Sequence, residues 1–346
     1  MEAVDLGQLL SSKQDRRIRV IENLLRGKKT VSTLYWGQRY HLLPLLNLSK
    51  HLARGGLDTA IQDLQQRDWV TVDAEQKTLR LTAKGEVGLA QHAYYRPVTV
   101  DQWVNWDLNA ARQRLLLAVQ VTSQFAHSTA RYYPLATDQE TRRAVRQWFH
   151  GAKGPALASD LATALTASLR QLPNETASIM TDQFTGFDQP GLTLEQLALA
   201  TDQTIWQIRL REFDGVAQIA RDAWQTTHPL HNLLAPLWRV PVSTSSQATL
   251  AAVTAGGDLQ RVADRRKIKL STVREHLLEA AIMLPVTDFP YELVLPPAMR
   301  EAFRTAVHGD LDSWQYVALP QAMQAEYDFF YFRLYAIWRM KQEVPA

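Results

Sequence analysis

The chain has 346 residues, a length that predicts two or three domains, and 46% of them are hydrophobic against 21% charged, the balance of a folded globular protein. The absence of cysteine excludes disulfides, thiolate metal sites and cysteine nucleophiles. The first residues lack the features of a signal peptide, and no window approaches eighteen consecutive apolar residues. We therefore expect a cytoplasmic protein that does not contact a membrane.

The positive charge is concentrated near the N-terminus. Residues 13–96 contain 15 Lys and Arg against 8 Asp and Glu, whereas the chain from Pro97 onward has 23 against 25. Such an asymmetry is typical of a module that binds a polyanion, although solubility alone can also explain it.

Residues 13–96 are predicted to form a basic, winged-helix-like domain. Apolar spacing predicts a first helix that contains Ile18 and ends at Gly27, a second that starts near Ser32, and a third that starts after Asn47. Two alternating runs around residues 74–77 then predict a β-hairpin. Three helices followed by a hairpin is the order of a winged helix, and a small helical domain with an incidental hairpin is the alternative. The predicted nucleic-acid contacts here are Lys28, Lys29, Arg39, Lys50, Arg54 and Lys77.

Residues 97–241 are predicted to form a helical middle domain. The segment 192–224 predicts two helices that are interrupted around Asp202. It is compatible with a second helix-turn-helix, but helical hairpins in ordinary bundles have the same pattern. Two prolines and a run of Ser and Thr at residues 236–246 predict a domain boundary.

The clearest pattern is a helix-turn-helix at residues 258–281, within a C-terminal domain predicted at residues 247–346. Each of its two helices has an apolar stripe, and the small Ala263 allows them to cross closely, with Val273 packed into the crossing. Lys267 occupies the turn position where glycine is usual. A left-handed lysine there costs about 1 kcal/mol.

Positive charge surrounds this turn, because residues 258–275 contain six Lys and Arg against three acidic residues. Ser271 or Thr272 is predicted to cap the second helix, and Thr272 with Glu275 has the spacing of a capping box. In a DNA-binding arrangement this helix would enter the major groove. A solvated basic face or a protein-docking surface is the alternative. The predicted contacts are Arg265, Arg266, Lys267, Lys269, Ser271, Thr272 and Arg274.

Aromatic residues have two possible roles. Trp36, Tyr40 and Trp69 could stack on unpaired bases beside the nearby cations, but core packing is the commoner role. At the C-terminus an aromatic stripe at helical spacing should pack on the helix-turn-helix or on a partner. It consists of Tyr327, Phe330, Tyr331, Leu334 and Trp338.

The run LQRVADRRKIKLSTVREHLLEA, with Ala263 and Ser271 to Val273, resembles the helicase-type helix-turn-helix domain at the C-terminus of some RecQ-like helicases and in the YpbB-like proteins of Firmicutes. The N-terminal run RVIENLLRGKKTVSTLYWGQRYHLL is also similar to YpbB-like proteins. The resemblance implies an accessory protein that acts on DNA beside a RecQ-like helicase. It does not imply helicase activity.

The chain lacks the motifs of common catalytic sites. There is no GxxxxGK[ST] phosphate loop, no HExxH pair and no GxSxG elbow. We therefore expect a mainly α-helical protein that is not an enzyme and needs no cofactor or metal. The predicted function is DNA binding as an accessory to a RecQ-like helicase in replication, recombination or repair. The alternatives are an adaptor that docks on a helicase without touching DNA, and a transcription regulator.

Overall fold

The computed structural model describes residues 1–135 and 138–343, and the fold is mainly α-helical, as predicted. Three short strands form one small sheet within this part of the chain. The strands are β1 (Arg16–Arg17), β2 (Val70–Asp73) and β3 (Thr78–Leu81). The α-helices are α1 (Ala3–Gln8), α2 (Ile18–Leu25), α3 (Val31–Arg39), α4 (Asp58–Gln66), α5 (Ala83–Ala90), α6 (Leu108–Ala126), α7 (Gln139–Ala152), α8 (Leu157–Leu169), α9 (Asn174–Asp182), α10 (Leu194–Thr201), α11 (Ile205–Asp222), α12 (His231–Leu234), α13 (Thr244–Thr254), α14 (Leu259–Arg266), α15 (Leu270–Met283), α16 (Tyr291–Val294), α17 (Pro297–Ala306), α18 (Gln321–Glu326) and α19 (Phe329–Glu343).

The chain divides into two compact units that do not follow the three predicted domains. Unit 1 consists of Met1–Ile18 and His51–Arg239, and unit 2 consists of Arg19–Lys50 and Val240–Ala346. Residues 19–50 therefore belong with the C-terminal segment, whereas the predicted hairpin belongs with the helical middle. Each unit is discontinuous in sequence.

In unit 1 the predicted hairpin is present as β2 and β3, which pair antiparallel with Val70 opposite Leu81. The short β1 adds to the other edge of β3, so the strand order is β1-β3-β2. α1 packs against α4 and α5 beside this sheet. Trp69 is buried, and a Cβ on Gly88 would come within 2.3 Å of its ring, so the close approach of α5 requires glycine there.

The rest of unit 1 is built around α11, which is buried along almost its whole length and packs against α6, α8, α9 and α10. Its Asp214 is fully buried and accepts hydrogen bonds from the backbone N–H groups of Val98 and Thr99, each at 2.7 Å. The hydroxyl groups of Tyr95 and Thr99 also donate to this carboxylate. These bonds fix the segment that leads into α6.

α10 and α11 have the backbone of a helix-turn-helix, one of the two possibilities for this segment. Asp202 follows α10 in the left-handed conformation, with φ 52° and ψ 39°, and Thr204 caps α11. However, α11 is surrounded by other helices, so it cannot enter a DNA groove. The pair acts as a helical hairpin within a bundle.

Unit 2 contains the predicted C-terminal helix-turn-helix. α14 and α15 are its two helices, and α13 packs against both. On its other side α15 packs against α19 and α3. The predicted packing of the aromatic tail on the helix-turn-helix is confirmed, because Phe330 and Leu334 of α19 are buried there.

The winged-helix-like domain predicted at residues 13–96 does not form as one unit. Helices α2 and α3 occur where the sequence predicts them, and Gly27 ends α2 with φ +80°. Their apolar faces, however, pack in unit 2, and the hairpin packs in unit 1. An amphipathic pattern indicates that a helix has a buried face but not which element covers it.

Candidate nucleic-acid interface

The turn of the helix-turn-helix is built from backbone hydrogen bonds around a left-handed lysine. Asp258 caps α14 by accepting from the N–H groups of Gln260 and Arg261. Lys267 then has φ 55° and ψ 42°, as the spacing predicts, and the N–H of Ile268 donates to the carbonyl oxygen of Ala263 at 3.0 Å. This geometry reverses the chain between the two helices.

α15 begins earlier than predicted. Its N-cap is Lys269, with extended φ −71° and ψ 150°, and no side chain caps the helix. The predicted caps, Ser271 and Thr272, are inside the first turn, so the predicted capping box of Thr272 and Glu275 is wrong. Lys269 already has the extended backbone of an N-cap, so Leu270 is the first residue of the helix.

Only the first two turns of α15 reach the surface. Ser271 and Glu275 are exposed and lie one turn apart on the same face, and Thr272 is half-buried between them. From Leu277 to Met283 every residue is buried against the surrounding helices. The helix can therefore present only its N-terminal half to a ligand.

Four exposed cations lie on α14, in the turn and at the start of α15. The predicted contacts Arg265, Lys267 and Lys269 are among them, and Arg261 of α14, which was not predicted as a contact, is the fourth. Within the described residues, none of these four side chains forms an ion pair or a hydrogen bond. Their charges are available to an external anion.

Two predicted contacts in this region bind other parts of unit 2 instead. The Arg266 guanidinium donates to the carbonyl oxygen of Ser245 at 2.9 Å and to the hydroxyl of Thr249. Arg274 forms an ion pair with Asp328 at 2.5 Å and lies over the ring of Phe330. Both arginines are half-buried and connect the helix-turn-helix to α13 and α19.

Arg39 also lies inside unit 2. Its side chain is buried, donates to the hydroxyl of Tyr35 at 3.2 Å and pairs with Asp312. The pKa of Arg39 is raised: burial lowers it, but Tyr35 and Asp312 together outweigh that effect. We therefore remove Arg39 from the candidate interface, because its guanidinium cannot reach a phosphate.

The remaining predicted contacts are divided between the units. Lys28, Lys29 and Lys50 are exposed residues of unit 2, and the Lys29 ammonium donates to the carbonyl oxygen of Pro241 at 3.1 Å. Arg54 and Lys77 are exposed residues of unit 1. The predicted set is therefore divided between the two units.

The aromatic residues near the N-terminus fit the core-packing alternative. Tyr40 is 1% exposed and Trp69 is 8% exposed. Trp36 is half-buried, with an edge contact to Tyr35 and a tilted contact with Tyr40. These rings have too little free face to stack on a base.

The buried polar groups of α15 position it against α13. Glu279 accepts from the backbone N–H and hydroxyl of Ser243 at 2.8 and 2.9 Å, and from the hydroxyl of Ser246 at 2.6 Å. His276 lies with its Nδ1 2.7 Å from the hydroxyl oxygen of Thr249. Burial and the nearby Arg266 lower the pKa of His276. These contacts hold α15 against α13.

The division into units also redistributes the charge. Residues 19–50 contain six Lys and Arg against one acidic residue, and they belong with the helix-turn-helix. Unit 2 consequently has a formal net charge of +4 and unit 1 of −1. Much of the N-terminal positive charge therefore belongs to the same unit as the C-terminal motif.

In residues 1–135 and 138–343, no group of three or more His, Asp or Glu side chains is arranged to hold a metal ion. No helix in the described part of the chain is both long enough and apolar enough to cross a membrane.

These features define a mainly α-helical protein with a C-terminal helix-turn-helix domain. A family model described as a helix-turn-helix domain matches residues 245–336, which suggests DNA binding. The chain is similar to Protein YpbB of Bacillus subtilis (strain 168), with 23% identity over 269 residues, or 76% of each chain. No solved structure matches the chain. Residues 19–50 lie outside the matched domain although they are part of the same compact unit.

Proposed function

We propose that this protein binds DNA through unit 2, as a non-catalytic accessory to a RecQ-like helicase. The observation that carries the DNA part is the exposed N-terminal half of α15, together with the four exposed cations of α14, the turn and the start of α15. These cations form no ion pair within the described residues. In helix-turn-helix proteins the N-terminal residues of the second helix contact base edges in the major groove.

The chemistry of each exposed side chain indicates its role on this surface. Arg261, Arg265, Lys267 and Lys269 would contact phosphates and position the protein, a function that carries no sequence information. Ser271 and Glu275 would face the base edges. Because no side chain caps α15, its first N–H groups are also available to a phosphate.

The helicase partnership is supported by the resemblance of residues 259–280 to the helicase-type domain, whereas the name of Protein YpbB states no activity. The partner would be a RecQ-like helicase, and the DNA would be single-stranded, forked or duplex. The chain itself would supply no nucleotide hydrolysis and need no cofactor.

The test is a fluorescence anisotropy titration with duplex, forked and single-stranded DNA at several salt concentrations. Four phosphate contacts in unit 2 would contribute about −4 to the slope of log affinity against log salt on duplex DNA. The variant R265A/K267A/K269A should lose about three of these contacts. R67A/R80A/R304A is the matched control, because it removes the same charge from exposed arginines that already pair with carboxylates.

Each result of this titration has a defined meaning. Failure of the wild-type protein to bind any DNA at low salt would contradict the proposal. An unchanged slope in a folded R265A/K267A/K269A variant that still binds the helicase would indicate an adaptor. A strong preference for one duplex sequence would indicate a transcription regulator.

A further inference from the structure

Helix α7 of unit 1 has a strongly basic face that the helix-turn-helix does not explain. With a rotation of about 100° per residue, its four basic side chains fall within an arc of about 100°. They are all exposed: Arg142, Arg143, Arg146 and His150, and the exposed Lys153 directly follows the helix. The buried residues Thr141, Val145 and Trp148 occupy the opposite side of the helix.

The acidic side chains at the start of α7 have other partners, and the carboxylate of Asp138 accepts hydrogen bonds from the backbone N–H and the hydroxyl of Thr141. The one acidic residue within α7, Glu140, pairs with Arg114 of α6 at 3.3 Å. The helices that pack against α7 are α6 and α12, and neither contains Asp or Glu. Arg143, Arg146 and Lys153 form no ion pair within the described residues.

The arrangement is unfavourable for the helix itself. Arg142 and Arg146 are four residues apart and Arg143 and Arg146 are three apart, and each like-charge pair at this spacing destabilises a helix by about 0.2–0.5 kcal/mol. Unit 1 as a whole has a formal net charge of −1, whereas residues 142–153 contain four Lys and Arg and no acidic residue. An anionic ligand would offset the repulsion.

We propose that this α7 face binds the phosphate backbone of DNA, as a second contact that does not depend on base sequence. The inference rests on the proposed function of unit 2 and adds a partner surface in unit 1. Arginine is suited to phosphate, because its planar guanidinium donates two parallel hydrogen bonds. Two contacts on one chain raise the effective concentration of the second once the first has formed.

A membrane surface is the less suitable polyanion. A helix that lies in a bilayer interface inserts its apolar face among the lipids. The apolar face of α7, with Val145 and Trp148, is already buried in unit 1. Only the charged face is exposed. A phosphate backbone can contact this face without insertion of apolar side chains.

The experiment compares salt slopes for duplex DNA in the full-length protein. The variant R143A/R146A/K153A should have a slope smaller in magnitude by about 3, since each lost phosphate contact contributes about 0.9. The control R67A/R80A/R304A removes the same net charge and should retain the wild-type slope. Thermal melting of all three proteins checks that each is folded.

Two other results would overturn the inference. If R143A/R146A/K153A has the wild-type slope while R265A/K267A/K269A has a reduced one, α7 does not bind DNA but the proposed function stands. If R143A/R146A/K153A has lost binding to phosphatidylserine vesicles and retains its DNA slope, the ligand is a membrane. Absence of DNA binding by the wild-type protein would contradict both proposals.

Discussion

Asp202 and Lys267 occupy equivalent positions in two helix-turn-helix backbones of the same chain. Each follows an eight-residue helix and is left-handed, with φ 52° and 55° respectively. In both motifs the next N–H donates to an alanine carbonyl, of Ala198 and of Ala263. The second helix is buried in the first motif and half-exposed in the other. Exposure, and not the backbone of the turn, therefore decides which motif can contact DNA.

The conformation of Lys267 predicts a stabilising substitution. Glycine has no Cβ to oppose a positive φ, so Lys267→Gly should raise the free energy of unfolding by up to about 1 kcal/mol. Lys269→Gly is the matched control, because Lys269 has an extended backbone that glycine does not relieve. Urea denaturation measures both. A destabilised Lys267→Gly protein would contradict this explanation of the turn.

The pair between Arg274 and Asp328 predicts a variant that binds DNA more tightly. Asp328→Asn keeps an oxygen that accepts from the N–H of Phe330 at the start of α19, but it releases the Arg274 charge next to the exposed part of α15. Affinity for duplex DNA should rise, and the salt slope should steepen by up to about 1.

Asp312→Asn is the control for this variant. It also removes an acidic partner of an arginine, but that arginine is the buried Arg39. Anisotropy titrations at two salt concentrations distinguish the variants. Equal changes in both would mean that net charge alone, and not a released arginine, determines affinity.

Removal of the buried Glu279 carboxylate should reduce the stability of the protein. Three hydrogen bonds from Ser243 and Ser246 end on this buried carboxylate, so Glu279→Ala should lower the free energy of unfolding by about 3 kcal/mol. Glu279→Gln keeps one acceptor oxygen and should lose less. Urea denaturation provides the measurement. A Glu279→Ala protein as stable as the wild type would show that these bonds do not hold α15 to α13.

His276 predicts a dependence of stability on pH. Its pKa is lowered from 6.5 in the folded state, first by burial and then by Arg266. As the pH falls below about 6.5, the unfolded chain binds a proton before the folded chain does, so stability decreases, by less than about 1.4 kcal/mol per pH unit. Above that pH the contribution is constant.

The measurement is the free energy of unfolding from pH 7.5 to pH 5 for the wild type and His276→Gln. The variant should have the weaker pH dependence. Part of the dependence should persist in both proteins, because burial also lowers the pKa of His228. Identical pH profiles would exclude His276 as a contributor.

Local patterns were sufficient to predict the elements but not their partners. Ala263, Lys267 and Val273 predicted the helix-turn-helix because their spacing is set by a turn of a few residues. The inward positions of Arg39 and Arg274 depend on Asp312 and Asp328, which are both distant from them in the chain, so no local pattern reveals them. The basic face of α7 could have been found from its helical periodicity, but the balanced charge of the middle segment concealed it.

Because unit 2 consists of two separate segments of the chain, its folding depends on the order in which they are synthesised. Helices α2 and α3 leave the ribosome early, yet the segment that completes their unit begins at Val240. Because domains fold as units during synthesis, the apolar faces of these two helices have no partners within their unit until the segment from Val240 has been made. A product terminated before Val240 would therefore carry these apolar faces exposed.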